Sequence, residues 1–210
     1  MIKILIADDH TIFREGLKHI LTEYSDLIVT DEARNGQEVL EKVWNDEYDM
    51  VLLDISMPGM NGLEVLKRLK KEKPKLSVLV LSMHPEEQYA VRALKSGASG
   101  YLTKESATDE LITAIRKISQ GRKYITSSLA ERLAFGLETD AEKPPHETLS
   151  DREYQVLLMI ASGKTITQIA KELFLSVKTV SSHRSHILEK MEMKTNAELT
   201  HYVIKHNLLD

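Results

Sequence analysis

The chain is 210 residues long with 42% hydrophobic and 29% charged residues, a composition that excludes a disordered or fibrous protein and fits one or two folded domains. Its 28 Lys/Arg against 32 Asp/Glu give a formal net charge of −4, so no global basic field points to nucleic acid. The absence of cysteine excludes disulfides and Cys-based zinc sites, and the lack of both a bilayer-length apolar run and a leader pattern in residues 1–20 makes a cytoplasmic protein with no membrane partner the expectation.

Residues 1–125 alternate short apolar runs with longer amphipathic stretches. The runs are IKILIA (2–7), LIVTDEA (27–33), MVLLD (50–54), SVLVLS (77–82) and GYLT (100–103). Between them, stretches such as GLEVLKRLKK (62–71) put Leu63, Leu66 and Leu69 on one helical face. Strand and helix in strict alternation predict an α/β fold, a five-stranded parallel sheet doubly wound with helices on both faces. Right-handed crossovers restrict the topology further.

Residues 126–148 read as a linker. Its second half, LETDAEKPPHET (137–148), is charged, lacks an apolar period and holds Pro144-Pro145. The preceding SSLAERLAFGL (127–137) has the pattern of a short helix that either side can claim. Residues 149–210 then carry the signatures of a small all-α domain of four helices. Ser150 with Glu153 and Thr165 with Gln168 form capping boxes, Ser176 is an N-cap, and Thr195 with Glu198 starts the last helix. The tight FLS connection between the second and third helices makes a helix-turn-helix.

Chemistry concentrates where four of the five strand ends meet. In MVLLDISMPGMNG (50–62) a buried strand stops on a carboxylate, Asp54, ahead of turn-forming Pro58, Gly59 and Gly62. Strand one runs into Asp8-Asp9, strand four ends at Ser82, and strand five leads to Lys104. In a parallel sheet these ends share one edge, where open α/β sheets carry their sites. Crowded carboxylates repel, and a hard divalent cation such as Mg²⁺ neutralises them while keeping water ligands. A carboxylate, a hydroxyl, a Lys and Mg²⁺ together suit phosphoryl transfer, which needs positioning and charge neutralisation above all. Taken singly, each residue has an ordinary explanation as a cap, a strand end or a solvated cation. An aspartyl-phosphate phosphatase of the haloacid dehalogenase type is the enzymatic alternative, but its chemistry wants a second Asp two residues after the nucleophile, and Ser56 stands there.

The motifs ILIADDH, VLLDISMPGMNG, VLVLSMH and ALKSGASGYLTK resemble the receiver domain of two-component response regulators. LSDREYQVLLMIASGKTITQIAKELFLSVKTVSSHRSHILEKM resembles a LuxR-type helix-turn-helix, and together the two resemble the NarL/FixJ class. The resemblance implies a flavodoxin-like receiver with Asp54 as phosphoacceptor. It implies Mg²⁺ held by Asp8, Asp9, Asp54 and the main-chain carbonyl of Ser56, with Lys104 pairing the phosphoryl oxygens and Ser82 and Tyr101 forming the switch. A sensor histidine kinase would be the phosphate source and double-stranded DNA the target, bound by a homodimer formed on phosphorylation or on DNA. The chain's only enzymatic side would be its own phosphorylation and slow dephosphorylation. Ser56 and His84, each two residues beyond a key position, should flank the site and set the hydrolysis rate. Many receivers carry Pro after the Lys; Glu105 stands here, so no cis peptide is expected. A phosphorylation-independent DNA-binding or adaptor protein with a vestigial receiver is a further alternative, against which the intact acidic pair, Ser82 and Lys104 argue.

Residues 147–210 hold eight Lys/Arg and eight Asp/Glu, so any basic face there is local, with Lys164, Lys171, Lys178, Arg184, Lys190 and Lys194 as candidates. In the third helix Val177, Val180, Ile187 and Met191 should face the core. The family resemblance sets this helix in the major groove, with Ser181, Ser182 and Ser185 at base edges, Lys178 or Lys190 at phosphate, and Thr179 among the contacting positions; a merely solvated polar face is the alternative for each serine taken alone. Short hydroxyls discriminate bases poorly, so shape or water can carry much of the specificity. Leu199, Tyr202 and Val203, with Ile204, are the candidate dimer surface on the fourth helix, with packing against its own domain as the alternative. His183, His186, His201 and His206 lack partners at metal-site spacing and read as surface or packing residues.

Overall fold

The computed structural model describes residues 1–106, 108–127, 129–131, 144–206 and 208–209, with the backbone alone of Glu87. Most of the expected linker, and with it most of the short helix over 127–137, lies outside the described residues. The chain divides into two compact units, Met1–Gly136 and Leu137–Asp210. None of the described helices is long and apolar enough to cross a membrane.

In the first unit strands β1 (Ile2–Ala7), β2 (Leu27–Ala33), β3 (Met50–Asp54), β4 (Ser77–Ser82) and β5 (Gly100–Thr103) alternate with helices α1 (Thr11–Thr22), α2 (Gly36–Asn45), α3 (Gly62–Glu72), α4 (Glu86–Lys95) and α5 (Thr108–Ser119). The strands form one parallel sheet in the order β2-β1-β3-β4-β5. This is the doubly wound five-stranded sheet that the sequence predicts. On one face Ile4, Ile6, Leu52, Leu79 and Leu81 pack with Leu17 and Leu21 of α1 and with Leu111, Ile112 and Ile115 of α5. The alternate residues Leu5, Val51, Leu53, Val78 and Val80 are just as buried, and right-handed crossovers bring α2, α3 and α4 over that opposite face. Burial from both sides is why these strands show no polar alternation in the sequence.

The chain winds one way from β1 to β2 and the other way from β3 to β5, so β1 and β3 flank the switch point of the sheet. Crevices outside the carboxyl ends of such strands are where α/β sheets bind ligands. The start of α3 presses directly against that point. Asn61 caps α3 by accepting the Leu63 N–H at 2.8 Å, and the Gly62 N–H donates to the Ile55 carbonyl at 3.1 Å. A Cβ on Gly62 would fall 2.2 Å from the Asp54 carbonyl oxygen and 2.7 Å from the Ile55 Cα. Both are backbone atoms, so neither can rotate aside.

The second unit opens with a 3₁₀ turn, Pro145–Thr148, followed by α6 (Asp151–Ala161), α7 (Ile166–Glu172), α8 (Val177–Lys190) and α9 (Asn196–Lys205). Reciprocal capping boxes at Ser150/Glu153 and Thr165/Gln168 start α6 and α7, and Ser176 caps α8. Thr195 caps α9, while Glu198 reaches past it to the Lys194 N–H. Val156, Leu157, Ile169, Val180, Ile187 and Met191 close the core. Two expectations are corrected here. Val177 is 48% exposed, because it begins α8 ahead of the stretch that meets the core. Leu199 and Val203 are fully buried within their own unit, where α9 packs on α6, so they cannot form a dimer surface. On the outer side of α9, Ile204 is 62% exposed, and half-buried Tyr202 meets His146 Nδ1 through its hydroxyl at 2.9 Å.

Because backbone must move to admit a methyl group there, Gly62→Ala should cost about 1–3 kcal/mol of stability, read as a lowered urea midpoint. An unchanged midpoint would show that the α3 approach to Asp54 relaxes freely.

Candidate functional site

Asp54 closes β3 and is 1% exposed. The Ser56 N–H donates to its Oδ1 at 3.0 Å, and Lys104 Nζ donates to its Oδ2 at 2.8 Å. The same ammonium stands 2.6 Å from Asp8 Oδ2 and lies over the Phe13 ring, 4.7 Å from its centroid. Lys104 reaches this position because its own N–H donates to the Ser82 carbonyl at 2.7 Å, tying the exit of β5 to the end of β4. Asp8 is equally buried, its Oδ1 accepting the His10 N–H at 2.8 Å. His10 Nδ1 sits 3.2 Å from that oxygen and 3.0 Å from Asp9 Oδ1.

The local charges conflict. Burial, the largest influence, and the neighbouring Asp8 charge hold the Asp54 carboxyl above the ordinary carboxylate range, against the pull of Lys104 and the Ser56 N–H. For Lys104, burial pulls the ammonium down, but Asp54 and Asp8 more than offset it and leave it above its ordinary value.

Donor atoms of Asp8, Asp9, His10 and Asp54 all lie within 4.8 Å of one another. Asp8 Oδ2 and Asp9 Oδ1 are closed to solvent and lie beside Lys104 Nζ and His10 Nδ1 respectively, without a well-aligned hydrogen bond. Shielded carboxylate oxygens with spare lone pairs, grouped at one sheet end, fit a hard divalent cation such as Mg²⁺. The structure thus brings together Asp8, Asp9, Asp54 and Lys104. It adds His10, which the sequence reading passed over although it directly follows the acidic pair.

Ser82 and Tyr101 belong to a connected arm. Ser82 is fully buried and its Oγ accepts the His84 N–H at 3.0 Å. The buried Tyr101 hydroxyl donates to the His84 carbonyl at 2.7 Å. The His84 imidazole reaches back toward the site, its Nε2 3.4 Å from Ser56 Oγ. No cis peptide bond occurs among the described residues.

On α8, Lys178, Ser181, Ser182 and Ser185 are exposed and Thr179 is half-buried beside the Ser176 cap. Ser182 Oγ donates to the Lys178 carbonyl and Ser185 Oγ to the Ser181 carbonyl, each at 3.1 Å. Their hydroxyl hydrogens are engaged by the helix, so what they hold out is acceptor capacity. Lys190, expected at phosphate, instead donates to Glu153 Oε2 at 2.7 Å, inside the α6 capping box. Glu153 is 4% exposed and takes the nearest cation as its counter-charge. Burial pushes its carboxyl upward, but Lys190 and the Ser150 donors outweigh this and leave it below its ordinary value. Lys178 has no carboxylate partner among the described residues and stays available as a surface cation.

Residues 4–116 match the family described as response regulator receiver domain, and residues 147–203 match the luxR family of bacterial regulatory proteins. The chain is 35% identical over 209 residues to Response regulator UvrY of Escherichia coli K12, spanning 99% of this chain and 96% of that protein. It is 37% identical over 215 residues to Oxygen regulatory protein NreC of Staphylococcus carnosus, spanning 99% of each. Among solved structures it resembles RcsB of Salmonella enterica serovar Typhimurium bound to promoter rprA with the phosphomimetic BeF₃⁻. That likeness has a TM-score of 0.67 and 27% identity, and covers 97% of this chain and 98% of RcsB. A receiver and a DNA-binding helix-turn-helix in one chain define a two-component response regulator. The chain belongs to the NarL/FixJ class of these proteins and is a phosphorylation-dependent, DNA-binding regulator of transcription.

The raised Asp54 value has a consequence for stability. Since the folded-state pKa exceeds the unfolded one, this group's favourable contribution is complete below the unfolded carboxylate pKa and is lost as pH rises through the raised value. Asp54→Asn should therefore raise the urea midpoint of the metal-free protein at neutral pH. The advantage should shrink as pH falls toward the ordinary carboxylate range, and Mg²⁺ should stabilise wild type more than the variant. A neutral-pH variant less stable than wild type would contradict this charge balance.

Proposed function

We propose that Asp54 is the phosphoacceptor of a receiver spanning residues 1–125, joined by a linker (126–148) to a DNA-binding domain (149–210). The observation that carries this reading is Lys104 Nζ held between Asp54 and Asp8, at 2.8 and 2.6 Å, with shielded acceptor oxygens of Asp8 and Asp9 alongside. Asp8, Asp9, Asp54 and the Ser56 main-chain carbonyl hold Mg²⁺. When bound, the ion neutralises charge on the phosphoryl oxygens and orients them for displacement.

An Asp54 carboxylate oxygen forms the bond to phosphorus as the bond to the donor breaks, the donor being a phosphohistidine of a sensor kinase or a small acyl phosphate. Lys104 stays beside Asp54 and pairs with the oxygens it then carries. The Ser82 hydroxyl turns toward the phosphoryl group, releasing the His84 N–H, and Tyr101 follows through its bond to the His84 carbonyl. Ser56 and His84 bound the approach of water. The receiver thereby catalyses its own phosphorylation and slow dephosphorylation. The protein works in the cytoplasm.

In the DNA-binding domain α8 enters the major groove. Lys178 contacts phosphate, and Ser181, Ser182 and Ser185 face base edges, where hydroxyls engaged by the helix accept from adenine or cytosine amino groups. One formally neutral domain makes few phosphate contacts, so two copies bind together, with half-sites roughly 10 base pairs apart. Tyr202 and Ile204 are the candidates on α9 for the contact between copies. Support comes from the promoter-bound, BeF₃⁻-treated state of RcsB and from a structure of two RcsB dimers on DNA.

With Mg²⁺ and acetyl phosphate, the protein should gain one base-labile phosphoryl group and shift toward a dimer, measured by intact mass and sedimentation. Asp54→Asn should show neither change, and paired Ser56→Ala and His84→Ala substitutions should alter the adduct's lifetime. Stable modification elsewhere, or none with metal present, would sink the reading.

On DNA, Lys178→Ala should weaken all sequences alike and lower the salt slope by about one unit. Ser182→Ala or Ser185→Ala should change preference at particular base pairs by at most ~1–3 kcal/mol and leave the slope alone. Fluorescence titrations of matched and mismatched sites across a salt series separate these effects. A base preference altered by Lys178→Ala, with both serine variants like wild type, would mean the helix docks on a different face.

A further inference from the structure

Arg14 of α1 heads the fully buried side chains, with 2% exposure, in a fold where a buried charge must be matched by its contacts. Its Nη1 donates to the Asp8 carbonyl at 2.8 Å and its Nε to Glu32 Oε2 at 2.9 Å, with Thr11 Oγ1 at 3.4 Å from Nη2. The Asp8 N–H donates to the Ala33 carbonyl at 3.0 Å. Both backbone groups of Asp8 are thus tied to β2, one directly and one through Arg14 and Glu32.

Glu32 reaches α1 only because β2 is irregular. Ile4 pairs with Val29 and Leu5 with Asp31, so Thr30 is skipped in the register. One extra residue reverses the side-chain faces beyond it. Asp31 consequently meets Lys42 and Tyr48, at 2.6 and 2.9 Å, while Glu32 meets Arg14 and Lys18. The Glu32 carboxyl is held below its ordinary range, chiefly by the Lys18 hydrogen bond, with burial opposing and Arg14 adding to the effect.

We infer that Arg14 and Glu32 are a positioning pair that fixes Asp8, and with it the divalent-cation site, on the sheet edge. The inference rests on the reading of Asp8 as a metal ligand. If the Asp8 main chain is not held, its carboxylate is no longer kept beside those of Asp9 and Asp54, whose donor atoms lie within 4.8 Å of its own, and the set of oxygens a cation needs is dispersed. A Lys at position 14 offers one ammonium where the guanidinium forks to both a carbonyl and a carboxylate, so it cannot replace the clamp.

The test is Mg²⁺ titration of the full chain by calorimetry, with thermal melts of the metal-free protein in parallel. Arg14→Lys should weaken Mg²⁺ by at least ~10-fold, the range for groups that orient metal ligands, and Glu32→Gln should weaken it by a smaller factor. With acetyl phosphate, the Mg²⁺ concentration for half-maximal rate should rise while the rate at saturating Mg²⁺ stays near wild type. Lower melting temperatures with wild-type Mg²⁺ affinity would reduce the pair to packing and overturn the inference alone. If Arg14→Lys does not fold, Glu32→Gln decides, and unchanged affinity there overturns it. A wild-type chain that binds no Mg²⁺ would remove the metal-site reading and this inference together.

Discussion

Lys104 is one ammonium shared between two buried carboxylates, and the rest of the receiver is arranged around that shortfall of positive charge. Asp8 and Asp54 are each 1% exposed, and Asp9 adds a third carboxylate at the rim. Unit charges 4 Å apart in a partly buried setting interact by roughly 4 kcal/mol, so an excess of negative charge here is a substantial strain on the fold. Burial holds the Asp54 carboxyl above its ordinary range even with Lys104 in contact, and the single ammonium faces more than one carboxylate. A divalent cation would supply the missing charge, and under the proposed function a phosphoryl group would be held where metal and lysine divide its charge.

The sheet is built to keep this conflict in place. β3 is buried along its whole length and delivers Asp54 at the switch point, while the close approach of Gly62 leaves the backbone beyond it no room to relax. The exit of β5 is bonded to the end of β4, so Lys104 and Ser82 move as neighbours. From Ser82 the connection passes through His84 to Tyr101, which is a short, hydrogen-bonded route from a change at Asp54 to the β4–α4 loop. The route is a physical one because the proposed rearrangement of Ser82 would release the His84 N–H, while Tyr101 stays bonded to the His84 carbonyl.

The strands, their order of chemistry and the four helices of the second unit were legible because they follow from local patterns. Continuous apolar runs mark strands buried on both faces, and the Ser150/Glu153 and Thr165/Gln168 pairs mark helix starts through the same hydrogen bonds that the structure contains. Three features were not legible, each for a physical reason. Val177 keeps the apolar period of α8, but periodicity does not reveal that a helix begins before its packing partner does. Leu199 and Val203 fitted either a dimer surface or packing within their own domain, because an apolar face reads the same whether it meets its own domain or another copy; the structure buries them in their own unit. Lys190 was assigned to phosphate, because nothing in local sequence announces that Glu153, 37 residues earlier, will claim it. The same limit hid Arg14 and Glu32, whose meeting depends on a register skip at Thr30.

The central claim is that metal and Asp54 must act together for phosphoryl chemistry at this sheet edge. Fluorine NMR of the beryllofluoride adduct, a noncovalent mimic of the acyl phosphate, tests it without a kinase. The account predicts a protein-bound fluorine signal that appears only when Mg²⁺ is present and is absent from Asp54→Asn. A bound signal of equal intensity without metal, or one that survives in Asp54→Asn, would contradict it.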